Sequence, residues 1–156
     1  MPVDIRVDLY EPEDIKEGLR KYLERIDVPI HVEDRREQGG DYVIMGDEIE
    51  YWIERKTITD MISSILRNVY ENGKPKSTGR SRRLFTQLLK LKGENRVPIL
   101  LIEGELHNIA ESKRHMIIGV EEWCIRKEIF VIHTCSKADT IYAIYNLAKK
   151  MVPFEK

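Results

Sequence analysis

The chain has 156 residues, of which 42% are hydrophobic and 34% are charged, a composition typical of a folded domain and not of a disordered segment. Its 26 basic and 27 acidic residues give a net charge of −1, so a nucleic-acid-binding surface would have to be a local basic patch. No apolar run approaches the roughly 20 residues that cross a bilayer, and Cys124 and Cys135 form neither a disulfide framework nor a zinc knuckle. We expect one intracellular domain over residues 1–156 that binds no membrane.

The first third of the chain predicts a strand, a helix and a short extended run. Residues 3–8 alternate apolar with polar side chains, which is typical of a strand, and Pro12 ends the pattern. Residues 13–26 place their apolar side chains on one helical stripe behind an acidic first turn, so an amphipathic helix is expected. A brief extended run follows at 29–32.

Residues 42–56 predict a β-hairpin. The segments 42–45 and 49–56 are rich in aromatic and β-branched residues, and Gly46 starts the turn between them. Because residues two apart on a strand share a face, Glu54 and Lys56 project to one side and the arginine between them projects to the other. Glu54 and Lys56 can therefore serve one site.

The remaining segments alternate helices with strands. Thr57 and Asp60 have the spacing of a capping box and start a helix that fades near residue 70, and residues 71–81 have a loop-like composition. The later elements are predicted in the order helix 84–93, strand 98–103, helix 116–124, strand 129–133 and helix 138–151. This alternation predicts an α/β sandwich with helices on both faces of a central mixed sheet.

Four acidic residues near the strand ends are candidate metal ligands: Asp8, Glu11, Asp41 and Glu54. Carboxylates that converge on one point hold a hard cation such as Mg²⁺ and leave positions for water and phosphate. The metal would polarise a phosphodiester, while Lys56 would orient the attacking water or stabilise charge in the transition state. The pattern favours a metal-dependent nuclease.

An ordinary structural interpretation of the same residues stays open. Charged side chains are common at strand ends and turns in a chain with this much charge, and short motifs match often by chance. Asp60 has a ready explanation as a helix cap, and Arg55 has one as a partner in a structural ion pair.

The sequences GDY at 40–42 and IERKTITD at 53–60 resemble the signature of the XPF family of structure-specific endonucleases, Glu-Arg-Lys with an Asp four residues after the Lys. RLFTQ at 83–87 and PILLIEG at 98–104 resemble the downstream pattern of that family. The resemblance spans nearly the whole chain. It implies a restriction-endonuclease-like three-layer sandwich, dependence on Mg²⁺ or Mn²⁺, and cleavage of branched, flap or fork DNA in repair, recombination or replication.

The resemblance also implies roles for individual side chains. The implied catalytic residues are Asp8, Asp41, Glu54, Arg55, Lys56 and Asp60. The implied metal ligands are Asp8, Glu11, Asp41 and Glu54. Arg83 and Gln87 match the helix that follows in the family. The chain departs from the family pattern at Leu9 and Tyr10, where members have Ser-Arg, so the role of the next residue, Glu11, stays open. It also has a longer hairpin tip and an insertion-like segment at 70–81.

A local basic segment covers residues 73–96, where Glu94 is the single acid. Its basic residues are Lys74, Lys76, Arg80, Arg82, Arg83, Lys90, Lys92 and Arg96. Phosphate contacts from such a segment give affinity without base specificity and weaken with salt. The predicted DNA-binding residues are Arg55, Lys74, Lys76, Arg80, Arg82, Arg83 and Gln87. A solvated helix face followed by a polar loop is the alternative.

The resemblance extends to assembly and partners. Family enzymes generally append a helix-hairpin-helix module, and we expect neither that module nor a helicase domain in residues 1–156, so DNA must be held otherwise. A homodimer through the closing helix, with Tyr142 and Tyr145, would place two sites on one DNA; the alternative is a monomer whose tyrosines complete the core. A DNA clamp or another repair protein is a further expected partner.

Three functions stay open at this point. The first is an active structure-specific nuclease, the second a Holliday-junction resolvase or restriction-type nuclease, and the third a non-catalytic DNA-binding scaffold subunit. Intact acids around Lys56 argue against the scaffold.

Overall fold

The structure, a computed structural model, describes residues 3–71, 74–75 and 83–152, with side chains described for 3–66 and 83–152. The strands are β1 (Asp4–Asp8), β2 (Ile30–Glu33), β3 (Tyr42–Met45), β4 (Glu50–Thr57), β5 (Tyr70–Glu71), β6 (Lys74–Pro75), β7 (Arg96–Glu103) and β8 (Phe130–Thr134). The helices are α1 (Glu13–Glu24), α2 (Ile58–Val69), α3 (Arg83–Lys90), α4 (Glu111–Arg126) and α5 (Lys137–Met151), with a short 3₁₀ turn at Leu106–Asn108.

Six strands form a mixed sheet in the order β2-β1-β3-β4-β7-β8. Strand β3 runs antiparallel to β1 and to β4, whereas β2, β7 and β8 each pair in parallel with a neighbour. The other strands therefore all point the same way and β3 is reversed. The predicted mixed central sheet is confirmed.

Each face of the sheet is covered by helices. The side chains of α1 and α5 share one buried cluster with Ile53 of β4. Those of α2, α3 and α4 share a second cluster with Trp52, the preceding residue of the same strand. Since successive strand residues point to opposite faces, the two clusters lie on opposite sides of the sheet. This is the predicted three-layer α/β sandwich.

Three predicted boundaries need correction. The fourth helix begins at Glu111, not at residue 116, because its polar first turn carries no apolar periodicity. The first helix ends at Glu24, and Asp27 closes it with a positive φ of 55°, as is common after helix ends. The prediction of a loop over 71–81 is wrong at residues 71 and 74–75, where β5 and β6 pair antiparallel. The sequence there contains Asn-Gly, a strong hairpin signal.

The strand directions bring the predicted acids to one end of the sheet. Asp8 ends β1 and Glu54 lies in the second half of β4, while Asp41 comes just before the reversed strand β3. The Asp8 N–H donates to the Asp41 carbonyl at 2.8 Å, and the Asp41 N–H donates to the Ile53 carbonyl at 2.8 Å. In the ranges that are described, no helix is long and apolar enough to cross a membrane.

Candidate active site

A cleft of about 700 Å³ opens at this end of the sheet. Its walls come from β1, β4, α3 and the segments that precede α1 and β3. It is lined by Asp8, Tyr10, Glu11, Arg35, Arg36, Gly39, Gly40, Asp41, Glu54, Arg55, Lys56, Asp60, Arg83, Thr86, Gln87 and Lys90. All the acids that the sequence predicts as ligands or catalytic groups are among them.

Asp41 stands at the entrance to β3 and is held by the neighbouring strand. Its Oδ2 accepts a hydrogen bond from the Arg55 N–H at 2.8 Å. Burial raises the pKa of Asp41 well above its usual range, and the charge of Glu54 adds to the shift. The Glu54 carboxylate is thus close enough to oppose the ionisation of Asp41.

Glu54 is 6% exposed and faces the same group of acids from β4. Burial raises the pKa of Glu54 to about 7; the charges of Glu11 and Asp8 add to the shift and Lys56 opposes it. Strand periodicity predicts that Glu54 and Lys56 share a face of β4. The charge of Lys56 does act on Glu54. A cation placed among these acids would relieve the repulsion.

Glu11 and Asp8 complete the acidic wall in different ways. Burial and the charge of Asp41 raise the pKa of Glu11 to about 7. Its buried Oε1 has no hydrogen-bond partner among the described residues, although Arg55 Nη1 lies 3.6 Å away. Asp8, in contrast, accepts the Arg35 N–H at 2.9 Å. Within the described residues, Glu11 thus keeps one buried oxygen without a hydrogen bond, close to an arginine.

Arg55 does not point freely toward a substrate. Its Nε and Nη2 donate to the two carboxylate oxygens of Glu103 at 3.1 and 2.6 Å. Glu103 also accepts from the Thr140 hydroxyl at 2.6 Å, and Thr134 contacts Thr140 at 2.7 Å. This network ties β4 to β7, β8 and α5, so the ion-pair interpretation of Arg55 describes its main contact.

Two residues of this framework escaped the sequence analysis. Glu103 was visible only as an acid ending an apolar strand. Arg35 donates through Nε to the Gly40 carbonyl at 3.0 Å and through Nη2 to the Gly39 carbonyl at 3.1 Å. Gly39 and Gly40 have positive φ angles of 86° and 77°, respectively, a backbone conformation that disfavours residues with a side chain. The sequence signal for this turn was the Gly-Gly pair directly before Asp41, because a turn with positive φ favours glycine.

Of the side chains that the structure describes in the predicted basic segment, only some reach the cleft. Arg83 and Gln87 line it from α3, as does Lys90, whereas Lys92 donates to the Lys127 carbonyl and Arg96 stacks on Trp52. The side chain of Lys74 and all of Lys76, Arg80 and Arg82 lie outside the described residues. Lys92 and Arg96 are therefore not part of this surface.

Asp60 lies at the rim in the first turn of α2. It is exposed, and its N–H donates to the Thr57 hydroxyl oxygen at 3.1 Å. That bond is one half of the predicted capping box. Because Asp60 lines the cleft as well, the cap places its carboxylate where a substrate could meet it.

A family model for the ERCC4 domain matches residues 10–147. The chain belongs to the ERCC4 domain family. Residues 40–60 and 83–104, which carry the XPF resemblance, fall inside the matched part.

Relatives of this ERCC4 domain include two XPF proteins. Over 113 residues it is 27% identical to the 3'-flap repair endonuclease Xpf of Saccharolobus solfataricus, covering 70% of this chain and 41% of that protein. XPF from Aeropyrum pernix matches with a TM-score of 0.64 and 19% identity, covering 94% of this chain and 64% of that one. The same protein in complex with DNA matches with the same score and identity over 96% and 64%. The restriction-endonuclease-like fold is confirmed, and the ERCC4 domain spans less than two thirds of each relative.

The cleft of the ERCC4 domain offers carboxylate oxygens, the donor type that hard divalent cations accept. Within the described ranges, no three His, Cys, Asp or Glu side chains are arranged to hold a metal ion as they stand. The cleft nevertheless gathers Asp41, Glu54 and Glu11, whose ionisation is hindered by burial and by one another. One buried oxygen of Glu11 has no hydrogen-bond partner among the described residues. Hard oxygen donors in this state fit a divalent cation that brings its own positive charge.

Proposed function

We propose that this chain is the nuclease domain of a divalent-metal-dependent endonuclease that hydrolyses phosphodiester bonds in branched, flap or fork DNA. The observation that carries the proposal is the cleft in which buried, mutually repelling carboxylates lie beside Lys56. A named 3'-flap endonuclease among the relatives and a DNA-bound structural neighbour support the choice of substrate.

The proposed chemistry divides between the acids and the lysine. Asp41 and Glu54, with Glu11 and Asp8 beside them, would hold Mg²⁺ or Mn²⁺. A bound cation of this kind polarises the phosphate and acidifies water. Lys56 lies next to Glu54 and would stabilise the charge that grows on phosphate oxygens as water attacks phosphorus.

The rest of the cleft would position DNA. Arg83, Lys90 and Arg36 line it and can contact backbone phosphates, while Gln87 has a buried Oε1 without a hydrogen-bond partner among the described residues. Such contacts give affinity that salt weakens and that does not depend on base sequence. In the sequence, Lys74, Lys76, Arg80 and Arg82 precede α3 and add four basic residues to this part of the chain.

The decisive experiment measures cleavage of flap, fork, Holliday-junction and linear duplex substrates with Mg²⁺, with Mn²⁺ and with excess EDTA. We expect metal-dependent cutting of flap or fork DNA, and no turnover by Asp41→Ala or Glu54→Ala. Glu48→Ala is the matched control, since this exposed acid lies in the hairpin turn outside the cleft. Cutting in EDTA, or normal rates in either cleft variant, would refute the proposal.

The same panel separates the other functions. Cleavage confined to the four-way junction would indicate a resolvase. Cleavage of linear duplex at defined sequences would indicate a restriction-type nuclease. Tight binding of branched DNA without cutting under any metal would indicate a scaffold subunit.

We also propose a homodimer that uses α5. Tyr142 on this helix is 58% exposed, whereas Tyr145 packs on Tyr22 with ring centroids 5.0 Å apart and belongs to the core. The candidate contact surface is therefore centred on Tyr142 alone. Exposed aromatic surface on a helix favours association, and twofold dimers are the commonest soluble oligomers.

Light scattering at micromolar concentration tests the assembly. We expect about twice the 18.4 kDa of one chain, and a shift toward one chain in Tyr142→Ala but not in Ile49→Ala, an exposed control in the β3–β4 turn. A single-chain mass that stays the same with branched DNA and Mg²⁺ would contradict the dimer.

A further inference from the structure

The turn that joins β1 to α1 presents two large apolar side chains to solvent beside the cleft. Leu9 is 50% exposed and Tyr10 is 62% exposed. Tyr10 lines the cleft next to Glu11. These are also the two positions at which the chain departs from the Ser-Arg of the XPF pattern. The exposed pair therefore lies directly beside the acids of the cleft.

Hydrogen bonds hold this turn in place. The Leu9 N–H donates to the Glu33 carbonyl at 2.8 Å, and the Leu9 carbonyl accepts from Lys16 Nζ at 2.9 Å. Lys16 is only 4% exposed, and burying an ammonium group is costly unless its donors are used. Because a buried lysine supports the turn, the exposure of Leu9 and Tyr10 is built into the fold.

Arg36 lies against the Tyr10 ring and is itself fixed. Its guanidinium carbon is 4.7 Å from the ring centroid. The Asp34 carboxylate accepts three hydrogen bonds from Arg36: from Nη2 at 2.6 Å, from Nε at 3.0 Å and from the backbone N–H at 3.1 Å. Both side chains are planar, both line the cleft, and the tyrosine ring remains largely open to solvent.

We infer that Tyr10 and Arg36 form a stacking platform for an unpaired nucleobase of the DNA strand that enters the cleft. The inference rests on the proposed function and names the part of the substrate that this surface takes. Bases stack on aromatic rings and on guanidinium planes. In a duplex the bases already stack on one another, so only a single-stranded arm can use the platform.

The surroundings favour a nucleotide over a protein segment. The platform continues directly into a cleft that Lys56, Arg83 and Lys90 also line, so the phosphate next to a stacked base would meet positive charge. The exposed apolar side chains of this turn are Leu9 and Tyr10, and one aromatic ring is enough to stack one base. A protein interface normally needs a much larger contact area.

The test uses the full chain in Ca²⁺, with flap DNA that carries one 2-aminopurine in its single-stranded arm and with a fully paired duplex of equal length. We expect Tyr10→Ala to bind the flap about tenfold more weakly and to bind the duplex as before. Tyr10→Phe keeps the ring and should bind like the parent. Quenching of 2-aminopurine fluorescence on binding reports stacking directly and should be lost in Tyr10→Ala.

A matched control is Phe130→Ala, which removes an aromatic ring of similar exposure, 63%, from the edge strand β8 outside the cleft. It should leave both affinities and the quenching unchanged. Arg36→Ala should weaken flap binding and reduce the quenching.

Three results would overturn the platform: unchanged flap affinity and quenching in Tyr10→Ala, an equal loss of flap and duplex affinity, or unchanged DNA binding with altered self-association in light scattering. The last result would assign the turn to a protein interface. The proposed nuclease function is refuted by a different result, namely that the parent protein cuts no substrate with any metal. The two failures can be told apart because the platform is tested by DNA affinity and 2-aminopurine fluorescence, not by cleavage.

Discussion

Glu54 and Glu103 lie on neighbouring parallel strands, and each is 6% exposed, yet their pKa values move in opposite directions. Glu54 stands on the side of the acidic cleft, with its pKa raised to about 7. Glu103 stands behind Arg55, with its pKa lowered from its ordinary value. Two glutamates of equal solvent exposure, of which Glu54 is surrounded by more protein, thus have two different electrostatic states.

The partners explain the difference. Burial alone would raise the pKa of Glu103, but hydrogen bonds from Arg55 and Thr140 outweigh it. Around Glu54, burial acts together with the charges of Glu11 and Asp8, and Lys56 does not compensate for them. Burial destabilises the charged form of a carboxylate, and neighbouring hydrogen-bond donors and charges decide whether the protein itself offsets that effect. Glu103 is satisfied within the protein, whereas the charge of Glu54 is not, which is why we propose Glu54 as a cation ligand.

The largest expected effect tests the cleft side of this comparison. Replacing Lys56 by Ala should lower the single-turnover rate on branched DNA by about 10²- to 10³-fold, because its charge is needed mainly in the transition state. Binding titrations in Ca²⁺ should change much less. If affinity falls as far as the rate, Lys56 anchors a phosphate in the ground state and its assigned role is wrong.

On the other side, removing Glu103 should cost stability. Glu103→Ala leaves the Arg55 guanidinium buried without its main partner, and the expected loss is about 3 kcal/mol in the free energy of unfolding. Urea denaturation at pH 7 measures it. In the double variant with Arg55→Ala the two losses should be less than additive; strict additivity would contradict the ion pair.

The pH dependence of stability should differ in sign between the two glutamates. The folded pKa of Glu54 is about 7 against an ordinary value of 4.5, so the folded state holds its proton more tightly. The stability that this proton contributes is present below pH 4.5 and is lost as pH rises through 7. Glu54→Gln should therefore unfold about 5 °C above the parent at pH 8, with the gap narrowing toward pH 5.

Glu103→Gln should do the reverse. The lowered pKa of Glu103 contributes stability above its ordinary value of 4.5, lost as pH falls through the lower folded value. The variant should thus be less stable than the parent at pH 7 and approach it in acid. Thermal unfolding of both variants between pH 4 and 8 checks the two trends together, and parallel curves would remove the basis of the comparison.

The smallest expected effect is stabilisation by metal. At pH 8, Mg²⁺ at about ten times its dissociation constant should raise the free energy of unfolding by about 1.4 kcal/mol. Glu54→Gln should respond far less, while Glu103→Gln should respond like the parent. Thermal shift assays with and without Mg²⁺ measure this without any DNA. An equal response in all three proteins would place the metal elsewhere.

Local pattern was enough for much of the fold. Alternation in 3–8 and 42–56 predicts β1, β3 and β4, and the period of two on β4 predicts that Glu54 and Lys56 act on one site. The first turn of α4 was missed because its residues are polar, and helix periodicity is read from apolar side chains. Such errors arise where an element begins outside the core.

The chain alone determined which acids stand at strand ends, because strand length and side-chain alternation are local properties. Only the tertiary structure decided their partners. Arg55 and Glu103 are 48 positions apart, and Arg35 meets Asp8 across 27 positions. These contacts depend on strand order and register, which place β7 beside β4 and the Gly39–Gly40 turn beside β1. Whether a buried acid is neutralised or left for a cation follows from that placement, since electrostatic energy depends on distances between residues far apart in the chain.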